Sequence, residues 1–203
     1  MISKSRAGFL NGLLAGSVIA ATTFVAPVAS ASEDPPSIPP DAQQAISRIK
    51  KTRKVSKADR ATILRYPSIA KMLVDPTSGK LSLSTASKAA APNGCHTADR
   101  YIAYRTMLGA KSYDWHSVIN YCWSNGKVSV LERYHFMGKP DSFVHDGALV
   151  LDSQAGEHTG IYQSRMQGKV ENKFLTVDWV ANYPRIDYRI YGKDGRYTVT
   201  QTS

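Results

Sequence analysis

An antiparallel β-sandwich or open barrel, mainly β and preceded by a short α-helical basic arm, is the fold class this sequence predicts. Three observations predict it. From Cys95 onward, aromatic and β-branched residues alternate between Gly-containing turns. Asn125-Gly126 and Asp194-Gly195 mark two hairpins in that stretch. Before residue 79, apolar residues recur instead at helical spacing among many Lys and Arg.

The elements follow in chain order. Lys4 and Arg6 form a positive n-region, an apolar stretch densest at residues 13–25 follows, and Ala29-Ser30-Ala31 supplies a small-residue cleavage pattern. Residues 1–31 therefore read as a secretory signal peptide, cut between Ala31 and Ser32. A membrane anchor is the rival reading, because residues 7–31 carry no charge; Asn11, Thr22, Thr23, Pro27 and the Ala-Ser-Ala site argue against it. No second long apolar run occurs, so no integral membrane segment is expected after cleavage, and the mature chain is expected outside the cell or at its envelope.

Residues 32–40 form a spacer in which Pro35, Pro36, Pro39 and Pro40 favour an extended chain. Residues 41–78 are the helical arm. Asp41 is placed to cap a first helix whose apolar face is Ala42, Ala45, Ile46 and Ile49. Ser56 with Asp59 three residues on reads as a capping box opening a second helix. Tyr66-Pro67 interrupts it, Ser68 restarts it along Ile69, Met72 and Leu73, and Asp75-Pro76 ends it. Residues 79–92, rich in Ser, Ala and Lys, read as a linker to a β-domain at 93–203, which is expected to fold without the arm unless the arm's apolar residues complete its core.

Cys95 and Cys122 make up the whole cysteine content. In an exported chain they predict one disulfide, worth roughly 3–4 kcal/mol on the chain-entropy account. Strands are expected at residues 98–108, 113–123, 127–136, 158–166 and 174–181, and in the hairpin around Asp194-Gly195. A two-residue Asn125-Gly126 loop pairs Trp115 with Phe136 and His116 with His135. Trp115, Ile119, Tyr121, Trp123, Val128, Val130, Tyr134 and Phe136 then share one face, with Glu132 and Ser117 as its polar exceptions. In the second hairpin Ile186, Tyr188, Ile190, Tyr197 and Val199 share a side.

The stretch CHTADRYIAYRTMLGAKSYDWHSVINYCWSNGKVSVLERY resembles small exported β-domains common in actinomycetes, which begin at one Cys and set a second before an aromatic and a Gly-containing hairpin. The resemblance covers Cys95 to about Phe136. It implies the β fold and carries over no catalytic residue.

Charge divides the chain. Residues 41–92 hold 11 Lys and Arg against 3 Asp and Glu, whereas residues 93–203 hold 13 against 11. An electrostatic partner is thus expected at the arm, on Lys50, Lys51, Arg53 and Lys54, and would be an anionic wall polymer, a glycan or a membrane surface, with nucleic acid least favoured. Ten of the eleven tyrosines and all three tryptophans lie in the β-domain. Trp115, Trp123, Tyr104 and Tyr191 are candidates to stack on a ligand, with the core as their alternative place.

Chemical motifs are sparse. His116 facing His135 could share a metal ion, with Asp141, His145 or Asp146 as a third ligand, but no HExxH occurs. Glu132 with Asp114 or Asp178 is a possible pair of hydrolytic carboxylates. The acids of residues 139–157 lack a calcium-loop rhythm, and the two S-x-x-K matches, Ser47 to Lys50 and Ser68 to Lys71, lack their SDN and KTG partners. No cofactor is implied. The sequence thus points to a secreted non-catalytic binding module, with a small extracellular hydrolase or metal-dependent enzyme as one alternative and an inhibitor or toxin released from a propeptide as another.

Overall fold

The computed structural model describes residues 37–82, 91–138, 144–175 and 177–202, with the side chains of 144–148, 177 and 202 excepted. The signal peptide, its Ala31–Ser32 cleavage point, most of the Pro-rich spacer and residues 83–90 of the expected linker lie outside the described residues, as do Asp141 and the side chains of His145 and Asp146. The described residues belong to one compact unit, Pro35–Ser203.

Three helices come first: α1 (Pro40–Thr52), α2 (Lys57–Leu64) and α3 (Pro67–Ala70). Pro40 occupies the first helical position of α1, where its missing N–H costs nothing, so Asp41 lies inside the first turn instead of capping it. There its carboxylate accepts hydrogen bonds from the Tyr66 hydroxyl (2.8 Å) and Arg65 (2.8 Å), tying the start of α1 to the α2–α3 corner. The capping box is formed: Ser56 Oγ accepts from the Asp59 N–H (3.0 Å) and donates to the Asp59 carboxylate (2.6 Å). Pro67 opens α3 in the same way that Pro40 opens α1.

Nine strands follow among the described residues, in two antiparallel sheets. The first sheet has the order β1 (Lys80–Leu81), β2 (Gly94–Arg105), β3 (Lys111–Ser124), β4 (Lys127–Gly138). The second is built on β6 (Ile161–Phe174), flanked on one side by β5 (Val144–Ala155) and on the other by β7 (Val177–Asn182) and β8 (Arg185–Tyr191) end to end, with β9 (Tyr197–Thr202) beyond β8. The fold is therefore mainly β, two packed antiparallel sheets behind short helices.

Asn125 and Gly126 both take positive φ, 50° and 74°, the conformation that a tight two-residue hairpin needs. Between the sheets the odd residues of β3, Tyr113, Trp115, Ile119 and Tyr121, meet Tyr162, Met166, Ile186 and Ile190 of the second sheet. Gly168 is where the backbone of β6 crosses the Trp115 indole; a Cβ there would stand 2.4 Å from its Nε1. Buried phenols find partners: Tyr113 accepts from Asn182 (2.7 Å), Tyr121 donates to the Gly195 carbonyl and Tyr188 to the Ser117 carbonyl. Burial pushes all three hydroxyls above their ordinary pKa.

The helices belong to this core. Ile49, Ile63, Ile69 and Leu73 are fully or almost fully buried in the same apolar cluster as Trp115 and Ile119. The Trp179 indole N–H donates to the Val74 carbonyl (2.8 Å), and Val74 bridges to Thr106. The boundary expected at 79–92 does not separate two cores. Lys80 and Leu81 pair with Ala103 and Ile102 as an edge strand, and the Trp123 indole donates to the Ala91 carbonyl (2.8 Å). Gln201 on β9 spans the gap between the sheets at that edge, accepting from the Leu81 N–H (2.8 Å) and donating to the Gly79 carbonyl (3.1 Å).

Several strand limits differ from expectation. The first long strand starts at Gly94, so Cys95 lies within it. The stretch 139–157, read as an acidic loop, is mostly strand β5. Its register against β6 shifts twice, between Asp146 and Leu149 and between Leu149 and Leu151, and two irregularities in six residues erase the period-2 signal. Strand β6 runs to Phe174, past the end expected at Met166, and its inward positions include Ser164, Gly168 and Asn172, which do not read as a buried face in the sequence.

Candidate functional site on the outer face of the first sheet

The site begins with one extra residue. Pairing across Asn125-Gly126 runs as expected as far as Tyr121 opposite Val130; then Asn120 pairs with Glu132, leaving Leu131 as a bulge, 69% exposed. A single extra residue reverses the facing of everything after it. Val128 and Val130 face the core, but beyond the bulge Arg133, His135 and Met137 take the inner face and Glu132, Tyr134 and Phe136 the outer one.

The outer face consequently carries matched rows across β2, β3 and β4. Tyr101, His116 and Phe136 form one row: the His116 ring stacks on Phe136 at 4.3 Å and lies 5.0 Å from Tyr101. Asp99, Val118 and Tyr134 form the next, and the Tyr134 and Phe136 rings stack at 6.2 Å. Thr97, Asn120 and Glu132 form the third, joined by hydrogen bonds from Thr97 Oγ1 to Asn120 (2.8 Å) and from Asn120 to Glu132 (3.1 Å). The Cys95–Cys122 disulfide closes the series. With two residues per row, the platform is about 20 Å long and about 10 Å across.

Tyr134 is 41% exposed and Phe136 39%, so two ring faces are open at one end. Amide, hydroxyl and carboxylate groups occupy the other end, where a shallow groove of about 740 Å³ opens past Cys95, Thr97, Asn120, Leu131 and Glu132. His96 borders the groove, and its partial burial beside Arg100 lowers its pKa. Asp99 fixes the orientation of His116 through Nδ1 (2.9 Å). Gly138 leaves room at the other nitrogen, because a Cβ there would lie 3.0 Å from His116 Nε2.

The bulge overturns the histidine pair: His116 and His135 lie on opposite faces of the sheet, His116 against Phe136 and His135 beside Trp115 at 6.0 Å. Among the described residues no cluster of three or more His, Cys, Asp or Glu is arranged to hold a metal. Asp114 and Glu132 lie six β3 positions apart in register, roughly 20 Å, beyond the reach of a hydrolytic carboxylate pair. Asp178 stands on β7 in the other sheet.

Trp115, Trp123 and Tyr104 are buried in the core and offer no ring to a ligand; Tyr191 is half-buried at the end of β8. The exposed aromatic pair, Tyr134 and Phe136, was hidden from sequence reasoning because an unbulged strand would have turned both inward. Lys50, Lys51, Arg53 and Lys54 are exposed at the C-terminal end of α1, as their positions suggest.

Fold and platform together define a disulfide-linked, two-sheet antiparallel β protein with helices completing its core. No protein-family model matches the chain. No curated protein matches it either. Among solved structures it is similar to the crystal structure of hypothetical protein lmo2686 from Listeria monocytogenes EGD-e, at 13% identity, over 60% of this chain and 75% of that one, with a TM-score of 0.31. A likeness of that degree carries no argument about function. Among the described residues no helix is long and apolar enough to cross a membrane, and the disulfide is the state cysteines take in an oxidising compartment.

Proposed function

We propose that the chain is a secreted, non-catalytic binding module that takes a saccharide chain along the outer face of the first sheet. The observation that carries this reading is the Leu131 bulge. The apolar residues of β4, Val128, Val130, Tyr134 and Phe136, would all face inside in a regular strand, with the Glu132 carboxylate among them. Turning the two aromatics out to solvent breaks the local pattern, and departures of that kind concentrate at functional surfaces. Flat aromatic faces stack on the apolar faces of sugar rings, while Thr97, Asn120, Glu132 and Asp99 supply acceptors and donors for hydroxyls at the rim.

The test is titration calorimetry of the mature protein with chito-oligosaccharides and with solubilised wall glycan. Tyr134→Ala and Phe136→Ala are each expected to weaken binding up to about tenfold, the worth of one aromatic stacking contact. Their melting temperatures should stay near that of the parent. Absence of binding to either probe, or binding that ignores both substitutions, would refute the proposal.

A further inference from the structure

The helical segment uses up its own acids. Arg48 pairs with Asp59 (2.7 Å), Arg60 with Asp75 (2.5 Å) and Arg65 with Asp41 (2.8 Å). These three aspartates are the only acids of residues 41–92. Among the described residues no ion pair reaches Lys50, Lys51, Arg53, Lys54 or Lys57, five cations within eight positions. Cations do complement a helix C-terminus, but the dipole there amounts to about half a charge, well short of this surplus.

Two of these cations, Lys50 and Arg53, line a pocket of about 260 Å³ between the end of α1 and strands β6 and β7, together with Lys169, Glu171, Asp178 and Tyr183. Arg53 is held there in an unusual way. It ends α1 in the left-handed conformation, φ 54°, a position that favours glycine, and its guanidinium lies over the Tyr183 ring at 5.6 Å. A side chain kept at a glycine position and seated on an aromatic face is oriented before any ligand arrives, and its planar fork suits an oxyanion. Lys169 and Glu171 pair with each other, and Asp178 offsets one of the remaining cations, so the lining carries a net charge of one positive unit.

We propose that this pocket binds one singly charged oxyanion, a phosphodiester or a uronate, of an extended polymer whose neighbouring charges run along Lys51, Lys54 and Lys57. The site is separate from the outer face of the first sheet, so either can fail while the other stands.

The test uses the mature protein with poly(glycerol phosphate) and with polygalacturonate, the two arms distinguishing the sources of the anion, at several salt concentrations. Binding to at least one polymer is expected. Lys50→Gln and Arg53→Gly should each weaken it severalfold and lower the salt slope by about one. Arg53→Gly relieves the positive φ, so its melting temperature should equal or exceed the parent's although its binding is weaker. Lys71→Gln, an exposed charge outside the pocket, should leave affinity unchanged. Failure to bind either polymer at low salt overturns the proposal. So does an equal loss in Lys71→Gln, which would mean diffuse attraction without a site.

Discussion

Replacing Ile63 by Ala tests whether helices and sheets form one cooperative unit. Ile63 is fully buried in the common core, whereas its neighbour Leu64 is 38% exposed, so the two positions on α2 make a matched pair. Removing three carbons from a buried Ile costs roughly 2–5 kcal/mol, transfer and cavity together. The better helix propensity of Ala returns only a few tenths. With a urea m-value of about 2 kcal/mol/M, a loss of about 3 kcal/mol moves the midpoint down by about 1.5 M. Leu64→Ala should stay within about 0.5 kcal/mol of the parent. The reporter is tryptophan fluorescence in a Trp179→Phe background, because Trp115 and Trp123 lie on strands of the first sheet whereas the Trp179 indole bonds to the Val74 carbonyl. A fluorescence midpoint within about 0.3 M of the parent's for Ile63→Ala, with helicity lost separately, would show that the helices melt alone and that the shared core is misread.

Two further predictions concern covalent and backbone constraints. Changing both Cys95 and Cys122 to Ser removes a link across 27 residues and should cost about 3–4 kcal/mol, with no loss for the parent on adding iodoacetamide because its thiols are blocked by pairing; alkylation of the untreated parent, read by mass, would contradict this. Gly109→Ala and Gly195→Ala both place a side chain at positive φ, 87° and 68°, but Gly109 faces open space while a Cβ on Gly195 would stand 2.4 Å from the Trp123 ring. The first should cost about 1 kcal/mol and the second about 1–3 kcal/mol more, measured by urea unfolding, and equal costs would mean that Trp123 does not pack there.

Local signals were legible wherever a few adjacent residues decide the geometry. Asn125-Gly126 specifies its turn by tolerating positive φ, Ser56 and Asp59 satisfy each other within one helical turn, and a chain with two cysteines has one pairing available. What stayed hidden depends on contacts distant in sequence. The one local sign of the bulge is the order Leu131-Glu132, which sets an apolar residue outside and a carboxylate inside an unbulged strand; the apolar rhythm on either side of it predicted the wrong face for Tyr134, Phe136 and His135. The docking of the helices was left open because the same apolar stripe serves a free amphipathic arm or a core lid. The pocket beside Arg53 needed Lys169 and Tyr183, more than a hundred residues away along the chain.

The amide of Gln201 has a consequence for how copies of this protein behave toward one another. Its oxygen and nitrogen answer the N–H of Leu81 and the carbonyl of Gly79 as a neighbouring peptide group would, so a side chain stands in for a strand at the seam between β1 and β9. Open sheet edges are where foreign strands add and where β proteins polymerise or swap segments. At this edge, a strand only two residues long, with the Leu81 N–H and the Gly79 carbonyl already engaged, gives a second chain little to template on, so any strand addition is directed to the longer outer strands β4 and β5.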